Sequence, residues 1–392
     1  MPSQKKIRVA FAFPMGLAFI ERVQKGILDF ARTRGRWTFT RLPETLSPSI
    51  EWLRHWPGDG AFVLITSAAD ARLARSLPMP VVNLAAHFAD PGVPSATVDH
   101  EAIGRLAAEH LIERRFNRFA YYGIRGKWFS TQRRVGFSKA VHSAGGELDV
   151  LEAGPLADQG MRWTDQQKEL SGWLRCQRMP VGILASSDHR AMMIYEACAT
   201  LNLRIPEDVA VIGVDNDPVA CEFCQPPLSS VSRNDVQVGY DAAALLDRLM
   251  HGDKAPKKPI VVQPDGVIQR RSTETWAIED AEIAAAVRFI REHLGENFGV
   301  ERLLKECRLS RRRLERQFRE TMGRSPYAFI NELRVAEARR LLAVQDANDL
   351  SAIAAKCGFR EARRMRLVFQ KHTGMKPSRY RQTMRTRSDR AE

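Results

Sequence analysis

The sequence predicts an α/β domain followed by an all-α domain that carries two helix-turn-helix motifs. Three observations predict it. From Ile7 onward, short β-branched and aromatic runs alternate with longer amphipathic stretches. After Ala281 the strand signals vanish while the helical period persists. Beyond that point a helix-sized pattern occurs twice. A chain of 392 residues with 44% hydrophobic and 27% charged residues is long enough for two or three packed units, which argues against disorder.

The strand-like runs are Ile7–Phe13, Trp37–Leu42, Ala61–Thr66, Val81–Leu84, Phe119–Gly123, Leu148–Glu152, Gly182–Ala185 and Val209–Val214. Amphipathic stretches such as Ala18–Ala31, Glu101–Glu113, Arg133–Ala144 and Trp163–Cys176 lie between them. This alternation implies parallel sheets covered on both faces. The first run follows Lys5-Lys6 in the order of an export signal, but Arg8 and Pro14 break it and no clean cleavage site follows. It reads as a buried strand, and no other apolar run approaches the roughly 20 residues of a membrane span.

In parallel α/β sheets ligands bind beyond the carboxyl ends of the strands. Asp99 follows Ala96-Thr97-Val98, Ser187-Asp188 follows Gly182–Ala185, and Asp215-Asn216-Asp217 follows Val209–Val214. Carboxylates at several strand ends, with Arg133 to join them, make a pocket able to hydrogen-bond many hydroxyls at fixed geometry. Each acid taken alone is equally well a helix N-cap.

Catalysis has little to stand on. Ser187, Asp188 and His189 are consecutive, and three neighbours cannot align nucleophile, base and orienter. No phosphate-cradling glycine loop is present, so no cofactor is expected. The six cysteines are too sparse for a disulfide scaffold, and a reducing, cytoplasmic setting fits them. Cys221 and Cys224 form a C-x-x-C without the second ligand pair that zinc requires, so no metal is expected.

Several separated segments resemble the sensor domain of the lactose and galactose repressor family. They are Asp99 leading into Gly104, Ala107 and Leu111; Arg133 ahead of Gly136-Phe137; Ser187-Asp188 with Ala191; the run from Ile205 to Asn216; Pro227 to Val231; and Arg270 to Thr273. The resemblance implies a two-lobed, periplasmic-binding-protein-like sugar sensor over residues 1–273. It implies sugar-site roles for Asp99, Arg133, Ser187 and Asp215, with Asp188 as a further candidate. Ser187 stands where many relatives carry Asn. Because Ile7 already reads as the first strand, the family's N-terminal DNA-binding helices are not expected here, and another segment is expected to contact DNA.

Residues 274–280 turn acidic and polar and read as a linker. From Ala281 onward there are 26 Lys and Arg against 14 Asp and Glu, so +12 of the net +14 sits there. That is the electrostatic footprint of a nucleic-acid module over 281–385, followed by a short tail to 392. Leu303, Cys307, Leu309, Leu314 and Phe318 return as Ile353, Cys357, Phe359, Met365 and Phe369, and both copies continue into Gly and Pro. Each copy reads as a helix, a tight turn at Arg308-Leu309 or Gly358-Phe359, and a second helix. Leu314, Phe318, Met365 and Phe369 set the core faces.

The opposite faces are crowded with arginine: Arg311, Arg312, Arg313 and Arg316 in the first copy, Arg360, Arg363, Arg364 and Arg366 in the second. Neighbouring cations repel by a few tenths of a kcal/mol per pair, roughly, and DNA phosphate removes that penalty. With Glu315 and Ala362, these residues are the expected DNA contacts. Ser310, Gly323, Ser325-Pro326, Ile353-Ala354, Cys357-Gly358-Phe359 and Gly374-x2-Pro377-Ser378 resemble the DNA-binding domain of the arabinose-activator family. The second recognition helix departs from that family at Arg363, Arg364 and Met365.

Taken together, the two domains are similar in order and extent to the bacterial xylose operon regulators. That resemblance implies D-xylose as effector, a homodimer, and recruitment of RNA polymerase at a promoter. Two other readings stay open: a repressor or dual regulator that senses another pentose, a hexose or a sugar acid, and a non-transcriptional sugar-binding protein with a basic tail.

Overall fold

The computed structural model describes residues 6–14, 16–41, 49–155, 162–275, 277–278, 280–307, 309–343 and 349–388. It divides into two compact units, Met1–Ala277 and Ile278–Glu392.

In the first unit β1 (Ile7–Ala12), α1 (Ala18–Arg34), β2 (Trp37–Arg41), β3 (Gly60–Val63), α2 (Ala68–Ser76) and β4 (Val81–Asn83) build one lobe around a parallel sheet of order β2-β1-β3-β4. The run that begins at Ile7 is an inner strand, paired on both edges, with Val9 to Ala12 buried. β5 (Ala96–Val98) then leads into the second lobe. There α3 (His100–Ile112), β6 (Arg118–Ile124), α4 (Trp128–Ser143), β7 (Glu147–Ala153), α5 (Trp163–Arg175), β8 (Val181–Ala185), α6 (Asp188–Leu201), β9 (Val209–Val214), α7 (Pro218–Phe223) and β10 (Ser229–Ser232) follow in turn.

The chain returns to the first lobe as α8 (Asp235–Met250), pairs β11 (Ile260–Val262) with β5, and closes the second sheet with β12 (Gly266–Ile268). The second sheet has the order β12-β10-β9-β8-β6-β7, parallel except for the β10–β12 pair. β8 and β9 are buried along their whole length, as continuous apolar strands covered on both faces must be.

Three crossings join the lobes, and side chains tie them together. Asp99 accepts from Gln263 Nε2 at 3.0 Å, and Asp265 accepts from Ser232 Oγ at 3.0 Å and from the Asn234 N–H at 3.1 Å. Within the second lobe α3 and α4 meet at a reciprocal pair of glycines. A Cβ on Gly104 would lie 2.0 Å from the Arg133 carbonyl oxygen, and one on Gly136 would lie 1.9 Å from that of Glu101. Only hydrogen fits at either place, so these glycines set how near α4 comes to the end of β5.

The second unit is helical: α9 (Ala281–Glu292), α10 (Val300–Cys307), α11 (Arg311–Met322), α12 (Pro326–Ala343), α13 (Leu350–Lys356), α14 (Ala362–Thr373) and α15 (Pro377–Ser388). α10–α11 and α13–α14 are the two helix-turn-helix pairs. Ser310 caps α11 by accepting the Arg313 N–H, and Gly323 and Gly374 end α11 and α14 in the left-handed conformation. Leu309 in the first turn is buried; Arg308 lies outside the described residues.

Leu314, Phe318, Met365 and Phe369 are fully buried, as the apolar spacing requires. Phe318 packs edge-on against Phe329 with centroids 5.4 Å apart, and Phe369 does the same to Tyr380 at 5.6 Å. Phe329 and Tyr380 occupy the same place after Pro326 and Pro377, so the repeated unit is three helices rather than two.

Candidate ligand cleft and nucleic-acid interface

Between the two lobes of the first unit lies a cleft of about 590 Å³. The ends of the first lobe's strands contribute Ala12, Leu64, Thr66 and the segment Leu84 to His87, and α1 contributes Phe19. Facing them are Phe129 and Arg133 from α4, Ser187 at the end of β8, Asp215 at the end of β9, and His100 and Arg233 from two of the crossings.

The floor of the cleft is a chain of alternating charges. Arg22 on α1 binds Asp235, with Nη2 2.9 Å from Oδ2. Asp235 Oδ1 is 3.1 Å from Arg233 Nε, and Arg233 Nη1 donates to Asp215 Oδ1 at 3.2 Å. Arg133 reaches the same oxygen at 3.5 Å, donates to the Ser186 carbonyl, and donates through Nε to His100 Nδ1 at 3.3 Å. Arg133 lies over the Phe129 ring at 5.0 Å and Arg233 over Phe19 at 4.8 Å. Both arginines are nearly excluded from water, so their donors point where stacking and ion pairing fix them.

His100 accepts from Arg133 at Nδ1, which leaves Nε2–H to face Thr97 Oγ1 at 3.2 Å. Burial first, then Arg133 and Arg233, hold this imidazole well below its usual pKa, so it is neutral. Burial and Lys127 lower His87 too, against an opposing hydrogen bond to the Thr66 backbone.

Asp215 and Asn216 sit at φ 108° and 49°, sparsely populated for side chains of this kind. The kinked turn is held by the Asp215 N–H to the Val231 carbonyl at 3.1 Å, the Asn216 N–H to Ser230 Oγ at 2.9 Å, and Arg270 to Asn216 Oδ1 at 2.9 Å. It brings the carboxylate to the cleft, with Oδ2 accepting no hydrogen bond among the described residues. A free carboxylate oxygen beside guanidinium donors, a serine hydroxyl and two phenyl rings suits a molecule with hydroxyls on its edges and C–H groups on its faces.

Of the five residues expected in the pocket, Arg133, Ser187 and Asp215 line this cleft; Asp99 and Asp188 do not. Asp99 caps α3, accepting the Ala102 N–H at 2.9 Å, and uses its other oxygen on Gln263. For Asp99 the capping reading wins, because both oxygens are committed to backbone and crossing. Asp188 is fully buried behind the site. It accepts from Ser230 Oγ at 2.6 Å, the Asp217 N–H at 2.8 Å and Cys221 Sγ at 3.6 Å. Burial, with Asp215 nearby, pushes Asp188 up to about 7 against those hydrogen bonds. Cys221 and Cys224 are buried thiols in the same wall.

Sequence reasoning misses Phe19, His87, His100, Phe129 and Arg233. Phe129 stands one helical turn before Arg133, a spacing readable from the chain. His100 is the neighbour of Asp99: the strand end is legible in the sequence, and it is the residue after the acid that faces the cleft.

In the helical unit the arginines sort by partner. Arg311 is 2.8 Å from Glu301 and 3.3 Å from Glu315; Arg313 is 2.8 Å from Glu282. Glu315 also meets Arg319 at 3.9 Å, and Arg316 is 3.9 Å from Glu320. Arg364 donates to the Tyr327 hydroxyl. Among the described residues Arg312, Arg360, Arg363 and Arg366 form no ion pair, and all four are exposed. Ala362, half-buried, is the first residue of α14.

Two family models match the chain. A periplasmic binding protein-like domain matches residues 108–273, and a helix-turn-helix domain matches 303–383. The chain is 29% identical over 388 residues to the xylose operon regulatory protein of Escherichia coli (strain K12), covering 96% of this chain and 97% of that protein. It superposes with a TM-score of 0.74 on a solved xylose-binding transcription activator, at 28% identity over 97% of this chain and 99% of that one. The ribose operon repressor protein from Lactobacillus acidophilus shares the sensor fold alone, at 18% identity and a TM-score of 0.55, covering 69% of this chain and all of that one. The periplasmic binding protein-like match thus precedes the helix-turn-helix match, and the similarity to the xylose operon regulatory protein extends over both.

Proposed function

We propose that this sugar-responsive, DNA-binding transcription regulator takes D-xylose between the lobes of its sensor and, when loaded, activates a promoter for sugar catabolism. Residues 1–273 sense, 274–280 link and 281–385 read DNA, with the last residues a tail. The whole-length similarity to a xylose operon regulatory protein and to a xylose-binding transcription activator supports the choice of sugar. No helix of the described residues is long and apolar enough to cross a membrane, in keeping with a protein that works on DNA in the cytoplasm.

The observation that carries the reading is the Asp215 oxygen that accepts no hydrogen bond among the described residues, beside Arg133 and Arg233. In this site Asp215 accepts from two adjacent sugar hydroxyls, Arg133 and Ser187 hydrogen-bond others, and Phe19 and Phe129 cover the C–H faces. Asp99 and Asp188 act from behind, by fixing a crossing and the β9 turn. On DNA, Arg311, Arg312, Arg313, Glu315 and Arg316 of α11, with Arg360, Ala362, Arg363, Arg364 and Arg366 at α14, form the contact surface. A homodimer would present two such surfaces, and RNA polymerase is the partner at the promoter.

Calorimetric titration with D-xylose, D-ribose, L-arabinose, D-glucose and D-xylonate tests the effector. Tightest binding by D-xylose is expected. A charged hydrogen-bond acceptor contributes about 1.5–3 kcal/mol, so Asp215→Asn should weaken xylose binding by roughly 10- to 100-fold. Binding of another sugar in preference would replace the effector; unchanged xylose affinity in Asp215→Asn would misplace the site.

A further inference from the structure

The second recognition helix carries an exposed leucine at the centre of its outward face. α14 buries Met365, Val368 and Phe369. At about 100° per residue the line opposite runs through Arg363 and Leu367, with Gln370 and Lys371 at its sides. Leu367 is 58% exposed, although it sits on a well-packed helix.

Single exposed leucines are common on protein surfaces, so exposure alone says little. Two further observations give this one meaning. The internal repeat matches Met365 and Phe369 to Leu314 and Phe318, so Leu367 stands where α11 has Arg316, and Arg363 where it has Arg312. The leucine therefore occupies a position that the first copy fills with a cation facing outward. Arg363, Arg364, Arg366 and Lys371 also surround it, and from Ala362 to Thr373 α14 has no acidic residue at all. Such a ring of positive charge selects a polyanion over an apolar protein partner. The polyanion that offers an apolar group at the reach of a recognition helix is duplex DNA, whose major groove exposes the C5 methyl of thymine.

Resting on the DNA-binding reading above, we propose that Leu367 reads a thymine through its methyl group in the half-site covered by the second helix-turn-helix. Arg363, one turn earlier, anchors the helix at the groove's edge. The two copies then differ in kind at one equivalent position: Arg316 suits a hydrogen-bonding base edge or a phosphate, whereas Leu367 suits a methyl.

The test starts with the full chain and randomised duplexes, selected with and without D-xylose. Each thymine of the selected site is then replaced by deoxyuridine, which removes only the methyl. One replacement in the α14 half should weaken wild-type binding by about fourfold, the value of one buried methyl-sized group. Leu367→Ala should weaken binding to the thymine duplex by a similar factor and show no further loss on the uridine duplex. Leu367→Ala truncates a side chain that is more than half exposed, and an unchanged melting temperature confirms that it folds. If no uridine replacement in that half affects the wild type, or if the two losses multiply, the assignment is overturned. Unchanged DNA affinity with lost promoter activity would overturn it in favour of a protein contact. Selection of no duplex at all would instead sink the DNA-binding reading, and the assignment with it.

Discussion

A single carboxylate, Asp215, holds together groups from distant stretches of the chain. Arg133 lies 82 residues before it and Arg233 lies 18 after it, and both share its Oδ1. An uncompensated arginine at such depth would be costly, so the acid makes it possible to keep two guanidinium groups at the cleft. The buried histidines give residue-scale behaviour that acid can expose. His110, hydrogen-bonded to Thr273 Oγ1 at 2.7 Å, is pushed down to about 3 by burial and by Arg114. In the unfolded chain it titrates near 6.5, so the unfolded state takes up more protons as pH falls below that value. Stability contributed by the neutral ring is present above pH 6.5 and is lost on acidification, by about 2 kcal/mol between pH 7 and pH 5. His100 and His87 share this sign, and the raised Asp188 has the opposite one. The comparison that isolates His110 is therefore wild type against His110→Gln in denaturant melts at both pH values. The variant should lose roughly 2 kcal/mol less on going from pH 7 to pH 5, and parallel losses would contradict the assignment.

At the scale of elements, the cleft depends on how closely α4 approaches α3. Gly104 and Gly136 each touch a backbone carbonyl of the other helix, and one of those carbonyls belongs to Arg133. Gly136→Ala forces the helices apart, and overpacking of this kind costs about 1–3 kcal/mol. Because Phe129 and Arg133 ride on α4, the same change should weaken sugar binding as well as stability. The expected outcome is a lowered denaturant midpoint together with a raised dissociation constant for D-xylose. A variant that lost stability with unchanged affinity would show that the site tolerates the displacement. Gly358 constrains the reading half in a similar way. It sits at φ 71°, and a Cβ there would lie 2.3 Å from the Leu294 carbonyl oxygen, so the turn between α13 and α14 admits no side chain.

For the whole molecule, the chemistry of sensing and the chemistry of reading occupy different units, and a regulator needs a free-energy coupling between them. Sugar that favours one arrangement of the sensor can act on DNA binding only by its differential affinity for the two states. Linkage then requires reciprocity: operator DNA tightens D-xylose binding by the factor with which xylose tightens operator binding. Calorimetry with and without a selected operator duplex should give equal factors within error. Identical sugar affinities in both titrations would mean that the two units are thermodynamically independent, whatever each binds.

Most of the architecture is legible in the chain because it follows from short-range patterns. Alternating strand and helix signals dictate covered parallel sheets, apolar spacing dictates which faces of the helix-turn-helix pairs are buried, and the repeat from Leu303 to Phe318 and Ile353 to Phe369 dictates two helix-turn-helix pairs. The charge segregation puts the excess of Lys and Arg on the end of the chain that matches a helix-turn-helix domain. Which acids face the cleft is decided only in three dimensions. Asp99 and Asp215 both follow strands, yet one spends its oxygens on a helix cap and on Gln263 while the other is turned by a positive-φ kink toward Arg133 and Arg233. Local sequence sets what a side chain is able to bind; the direction it points, and the partners it meets, come from crossings and sheet ends that no neighbouring residues encode.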